Sequence, residues 1–365
     1  YEIVQGDWSS DVCSSDLDGS GTNYADGSPV TFYANTTLYA KWSILTPAAP
    51  AISSVTAGNG SATVNVGPGS VTCVSPFVLT SGNCVYRITT VGNSTVTIPA
   101  NVTNIQVLVV GGGGGGGWMG NAGGGGAGGL LYNSSYSVTP GSSISTTIGA
   151  GGAAGATSPG GNGGDSVFGS VTAKGGGGGA GGTPSAGLNG GSGGGGDATT
   201  SSCTQTAGGT ATQSTFSGWA IYSNAGGPGC GNTASLQGGG GGGAMSAGYP
   251  LVGNTSPGKG GDGLALGISG TSVTYAAGGN GFGTSYSAVQ PAGAANTGSG
   301  GGAGSAGGSG VIVLSYAPYA GTPTSYSVTA YDSNNNAVGS CTVTAPATSC
   351  IVTGLTNGSA YTFKS

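Results

Sequence analysis

Uninterrupted glycine, as in Gly111–Gly117 and Gly238–Gly243, gives a chain nothing to order except its own amides and carbonyls. Of the 86 glycines in 365 residues, 72 fall between residues 111 and 310. Such a run loses more conformational entropy on ordering than any other sequence, so a flexible tether is the simplest expectation. The punctuation argues against it. Thr95–Val110, Ser135–Gly149, Asp165–Gly175 and Gly310–Tyr316 are β-branched, alternating and bounded by Gly, Pro or Asn, the pattern of strands. Glycine begins directly at strand ends, as in VLVV-GGGGGGG and VTAK-GGGGG, so the runs read as excursions that leave a sheet and return to it.

Backbone accounting then selects their form. An extended left-handed helix of the polyproline-II type rises about 3.1 Å per residue and makes no internal hydrogen bond, leaving every polar group free to bond sideways. Several such rods satisfy one another only where backbones approach closely, which glycine alone permits on all sides. The expected fold is all-β: an antiparallel β-sandwich with an inserted polyglycine-II helix bundle, a seven-residue run making a rod of roughly 22 Å.

Composition excludes most chemistry. There is no histidine, which removes a Ser-His-Asp triad, a histidine-bound metal and a histidine pH switch. The cations Lys41, Arg87, Lys174, Lys259 and Lys364 are scattered and the net charge is −5, so no basic stripe exists for nucleic acid. The apolar stretches Ile105–Val110 and Val311–Leu314 fall far short of the roughly 18 to 20 residues of a membrane helix. QVLVVGGGGGGG imitates a dinucleotide loop without the helix or acid that should follow, and GNTSPGK (Gly253–Lys259) lacks the Ser or Thr of a phosphate loop. The expectation is a non-catalytic chain with no cofactor.

Residues 7–17, DWSSDVCSSDL, coincide with the one-frame translation of a common sequencing adaptor. Setting them aside removes Cys13 and leaves six cysteines in three local pairs: Cys73 with Cys84, Cys203 with Cys230, and Cys341 with Cys350. None has C-x-x-C spacing, so they read as disulfides, which implies an extracellular or cell-surface setting.

The chain divides accordingly. Residues 1–17 are a truncated start with the adaptor. Residues 18–45 contain DGSGTNYADGSPVTFYANTTLYAKW, which reads as a hairpin and closely resembles the second half of the Listeria–Bacteroides (internalin B-type) repeat of bacterial surface proteins. Residues 46–70 hold a Pro-rich linker and two short strands, and residues 321–365 alternate through three or four more. The latter resemble a fibronectin type III domain, with Leu355 and Tyr361 at its tyrosine-corner spacing and 46–70 as its first two strands. That reading nests residues 71–320 inside one interrupted, truncated sandwich; the alternative is two truncated copies in series, with the glycine-rich segment next to them. The pattern VLVVGGGGGG, GGNGGDS-x-F and GGSGVIVL within residues 73–316 resembles bacterial and phage glycine-rich domain proteins and, more remotely, the glycine-rich ectodomain region of the anaplastic lymphoma kinase family.

GGNGGDSVF (Gly160–Phe168) matches a calcium-binding nonapeptide and PGKGGDGLA (Pro257–Ala265) nearly does, which makes Asp165 and Asp262 candidate metal ligands. Such motifs share calcium between consecutive turns. These two are far apart, so capping of rods where they re-enter strands is the favoured role. Trp118, Met119, Trp219, Tyr222, Tyr249, Phe282 and Tyr286 interrupt the glycine tract as plugs against the sandwich or as exposed contacts at rod tips, with Trp118, Trp219, Tyr222 and Tyr249 the candidate ligand contacts and Thr199–Cys230 the favoured tip. The functional expectation is adhesion or structural display on a bacterial surface, toward a receptor, glycan or cell-wall component. Two alternatives stand beside it: a phage tail receptor-binding adhesin and an ice-binding protein with a flat Thr- and Gly-rich face.

Overall fold

The computed structural model describes residues 51–67, 73–100, 102–118, 121–156, 159–182, 185–198, 206–231, 236–250, 258–283, 290–318, 325–344 and 347–365, with the short strands Val12–Ser14, Asn23–Ala25 and Tyr39–Ala40. Strand pairing is antiparallel and no helix occurs among these residues. Contacts separate the chain into Thr72–Pro318 and a second unit made from Tyr1–Val71 with Tyr319–Ser365.

In Thr72–Pro318 a six-stranded sheet runs in the order Ala220–Tyr222, Leu130–Ser137, Asn104–Val110, Val311–Tyr316, Asn83–Ile88 and Val78–Thr80. A four-stranded sheet, Val171–Ala173, Ser166–Phe168, Ser143–Ile148 and Gly92–Thr97, supplies the second layer. Alternate residues explain the layering. Ile105, Val107, Val109, Ile312 and Leu314 share one core with Val96, Ile148 and Phe168 of the smaller sheet. Leu108, Val110, Val311 and Val313 point the other way, into a core with Leu130 and Tyr275. The central strands are thus buried on both faces, which is why they read as continuous apolar runs. The Leu264–Leu266 and Val273–Tyr275 hairpin contributes to the second core.

Glycine leaves this frame at Val110 and returns at Leu130. Within Gly111–Gly117 every amide donates to another run. Gly111, Gly114 and Gly117 bond the carbonyls of Gly129, Gly126 and Gly123; Gly112 and Gly115 bond Gly164 and Gly161; Gly113 and Gly116 bond Gly308 and Ser305, at 2.8 to 3.0 Å. The carbonyls accept with the same spacing: Gly112 and Gly115 from Gly176 and Gly179, Gly113 and Gly116 from Gly152 and Gly155, Gly114 and Gly117 from Gly301 and Gly304. Residues three apart therefore face the same neighbour, so the run turns once in three residues. The donors' partners run antiparallel to it and the acceptors' partners parallel. Gly123–Gly129 and Gly238–Gly243 are bonded to surrounding runs in the same manner. None of Gly111–Gly117 has a positive φ.

Besides a short sheet near the start of the chain, the second unit has two three-stranded sheets, Ala337–Thr344, Ser325–Tyr331, Thr362–Lys364 and Ser349–Thr353, Ser61–Gly67, Ala51–Gly58. Val64, Val66, Val328, Ala330, Val343 and Val352 form its core. The Tyr361 hydroxyl accepts the Thr356 amide at 2.9 Å, tying the approach to the last strand. Near the start of the chain, Asn23–Ala25 and Tyr39–Ala40 each pair with Val12–Ser14 instead of with one another, so these two strands do not make the hairpin expected in 18–42. The remainder of residues 1–50 lies outside the described residues, with the repeat resemblance that falls on it.

Candidate functional site

Charge is confined to a few places in the glycine tract. Asp165 stands where a returning run enters Ser166–Phe168, and Lys174 where the next run leaves Val171–Ala173. The Asp165 carboxylate binds the Lys174 ammonium at 2.8 Å and accepts the Gly175 amide at 2.8 Å, so it satisfies the first donor of the departing run. Asp262 accepts from the Lys259 ammonium at 2.6 Å, and that bond followed by the carboxylate's charge holds Lys259 above the ordinary ammonium value. Lys259 also lies 5.5 Å from the centre of the Tyr249 ring. The structure does not bring the two candidate calcium ligands together. Each is ion-paired with a lysine of its own.

Asp197 was not singled out by sequence, although it ends Gly193–Gly196 as Asp165 and Asp262 end their own glycine pairs. It is fully buried; one carboxylate oxygen accepts the Ser185 amide at 3.1 Å, and the other oxygen and the Ser185 hydroxyl are both enclosed without a partner. Burial pushes the Asp197 carboxyl above its usual value, the Ser185 amide and then the Thr206 hydroxyl only partly offsetting it, and no charged group contributes. A raised folded-state value means that the folded chain holds the proton more tightly than the unfolded one, so stability falls as pH rises from about 3.8 through the folded value. Asp197→Asn is expected to remove that fall. Thermal midpoints between pH 4 and 7 that decline equally in both proteins would refute this assignment.

Asparagine does work that the sequence reading missed. Asn162, Asn189 and Asn280 accept the amides of Gly178, Thr210 and Gly260 at 2.7 to 2.9 Å, each side chain standing where a further run would otherwise be needed. The signal was there in the G-N-G and L-N-G settings of these residues.

Aromatic residues divide into two groups. Trp219 packs on Tyr136 with ring centres 5.5 Å apart, and Tyr136 meets Phe168 at 5.6 Å, so Trp219 is a plug on the sandwich. Tyr222 lies in an edge strand, partly buried beside the second core. Trp118 and Tyr249 are exposed, at 42% and 39%. Phe282 is held by its backbone, donating to Ala122 and accepting from Gly238 at 2.8 Å. Met119 and Tyr286 lie outside the described residues.

Of the stretch expected to form the tip, Thr199–Cys230, residues 206–230 are described, and several of them are bonded into the lattice. Ala207 and Thr210 accept the amides of Gly187 and Gly190, Gly209 and Gly226 donate to Gly194 and Gly209, and Ala220–Tyr222 extends the six-stranded sheet. Its glycines have the same claim on neighbouring carbonyls as any others. Disulfides join Cys73 to Cys84 and Cys341 to Cys350. Cys203 and the Cys230 side chain lie outside the described residues.

This is an all-β protein whose antiparallel sandwich carries a glycine module ordered by its own main chain. Residues 89–317 match the family model described as Glycine-rich domain, and the chain belongs to that family. No curated protein compared with the chain matches it.

Proposed function

We propose that the glycine module is a polyglycine-II bundle serving as a rigid, non-catalytic display element of an extracellular surface protein, with adhesion as its task. The observation that carries this reading is the complete use of the Gly111–Gly117 amides by surrounding runs. A core without side chains is stiff yet indifferent to what its connections carry, so variety is free to collect at the ends of the runs. The two disulfides favour an oxidising compartment. In the second unit, the pairing of Ser61–Gly67 with Ser349–Thr353 and the Tyr361 bond favour a fibronectin III-like sandwich interrupted by the glycine module.

A phage tail adhesin is the second reading, favoured by the exposed Trp118 at the outer end of Gly111–Gly117. Amides of Gly111–Gly117 and Gly123–Gly129 are expected to exchange at least about a hundredfold more slowly than those of an unstructured glycine peptide. Exchange at the coil rate would rule out a rigid spacer. The full chain is expected to be retained by bacterial envelopes in a sedimentation assay, and absence of retention on every envelope tried would rule out adhesion.

A further inference from the structure

Asparagine followed by glycine is open to attack on its own side chain. The nitrogen of the next peptide can close a five-membered ring on the carboxamide carbon, and glycine puts no Cβ in its path. The chain has five such pairs: Asn59–Gly60, Asn162–Gly163, Asn189–Gly190, Asn280–Gly281 and Asn357–Gly358. Closure needs a glycine nitrogen that can give up its proton and swing toward the side chain.

In four pairs that nitrogen is engaged. Gly163, Gly190 and Gly281 donate to Gly176, Thr210 and Gly258 at 2.9, 3.3 and 2.9 Å, and a Cβ on any of them would strike the main chain of another run. Gly60 donates to the Asn357 carboxamide oxygen at 2.8 Å. Gly358 differs in every respect. It alone of the five glycines is exposed, its amide has no acceptor among the described residues, and nothing lies within 4 Å of an added Cβ. The cause is local: Asn357 and Gly358 are the central residues of a turn closed by the Ser359 amide on the Thr356 carbonyl at 3.2 Å, a bond that uses neither end of the peptide between them.

The Asn357 side chain is prepared as well. The Gly60 amide is aimed at the oxygen that becomes an oxyanion when the carboxamide carbon is attacked, so the tie that orders this side chain also polarises it. The Asn357 nitrogen donates to the Asn59 oxygen at 2.6 Å.

From this arrangement we infer that Asn357–Gly358 is a site of spontaneous self-modification. The Gly358 nitrogen bonds to the Asn357 carboxamide carbon and loses its proton, the carboxamide C–N bond breaks, and the amine departs with a proton as ammonia. Water then opens the cyclic imide at either carbonyl, giving aspartate or isoaspartate. Both products lack the carboxamide NH2, so the bond to Asn59 is lost, and both carry a carboxylate where the turn was neutral. Isoaspartate also adds a methylene to the main chain of the turn. One of the two bonds that join the Asn59–Gly60 and Asn357–Gly358 turns thereby disappears from a unit with a small core.

The test ages the full chain in mildly alkaline buffer, folded and in denaturant, and follows the five asparagines by peptide mapping with isoaspartate detection. In the folded chain Asn357 is expected to convert about tenfold or more faster than the other four, whose glycines must first open from their partners. In denaturant all five are expected to convert at similar rates. Asn357→Gln, whose longer side chain cannot close the five-membered ring, is expected to abolish the early release of ammonia. Aged chain separated by charge should show a lowered calorimetric transition for the unit that holds Asn357. An Asn357 that converts no faster than the other four in the folded chain overturns the inference, and fast conversion with an unchanged transition overturns its consequence for the two turns.

Discussion

Gly114→Ala is expected to destabilise the glycine unit by about 3 kcal/mol or more, among the larger effects of adding a single methyl group. A Cβ there would lie under 3.0 Å from the carbonyl of Gly177 and from the Gly176 oxygen, backbone atoms that have no rotamer with which to give way. Moving that run would in turn break the bonds Gly177 makes with Ser192 at 2.9 Å and Gly126 at 2.8 Å. Strain at one site therefore spreads through the lattice. Gly267 is the control, because nothing lies within 4 Å of its added Cβ and its φ is not in the left-handed region. Gly267→Ala is expected to stay within about 0.5 kcal/mol of the parent. Thermal unfolding should separate the two by about 6 °C or more, given roughly 2 to 4 °C per kcal/mol for a unit of this size. Equal midpoints would show that the runs are not packed as described.

Opening the Cys341–Cys350 disulfide is expected to cost about 3 kcal/mol on the loop-entropy account. Among the described residues the buried core of that unit is small, Val64, Val66, Val328, Ala330, Val343 and Val352 with Ala62 beside them in sequence, so little remains to offset the loss. Replacing both cysteines with serine should abolish its calorimetric transition near physiological temperature. The same change at Cys73 and Cys84 costs a similar amount, set against the much larger core around Phe77, Ile105 and Ile312, and should lower a transition without removing it. Calorimetry with and without reductant reads both outcomes, and insensitivity of the smaller unit would show that its sheets hold without the crosslink.

The strands were legible because side chains specify them. Ile105–Val110 and Val311–Leu314 announce a sheet by branching and burial, and the short separations of Cys73 from Cys84 and Cys341 from Cys350 announced their pairing. Glycine announces much less. That the runs need sideways partners follows from the main chain, but which run meets which does not, since Gly112 and Gly113 are chemically alike and face different neighbours. Thr199–Cys230 was read as the tip because Cys203 and Cys230 would close it, and nothing in that spacing shows that Ala207, Gly209 and Thr210 are bonded to neighbouring runs. Trp118 follows seven glycines and is exposed, whereas Trp219 directly precedes the strand Ala220–Tyr222 and packs on Tyr136. Asp197 escaped notice because its burial comes from neighbours distant in sequence.

The three-residue period bears on how such a gene can change length. Replication slippage across repeated glycine codons adds or deletes whole codons, and one extra codon rotates everything beyond it by a third of a turn. Each later amide would then address the wrong companion, as Gly112 would if it took the place of Gly113. Tolerated insertions should accordingly come in steps of nine nucleotides, matched on the outbound and homeward stretches of one excursion.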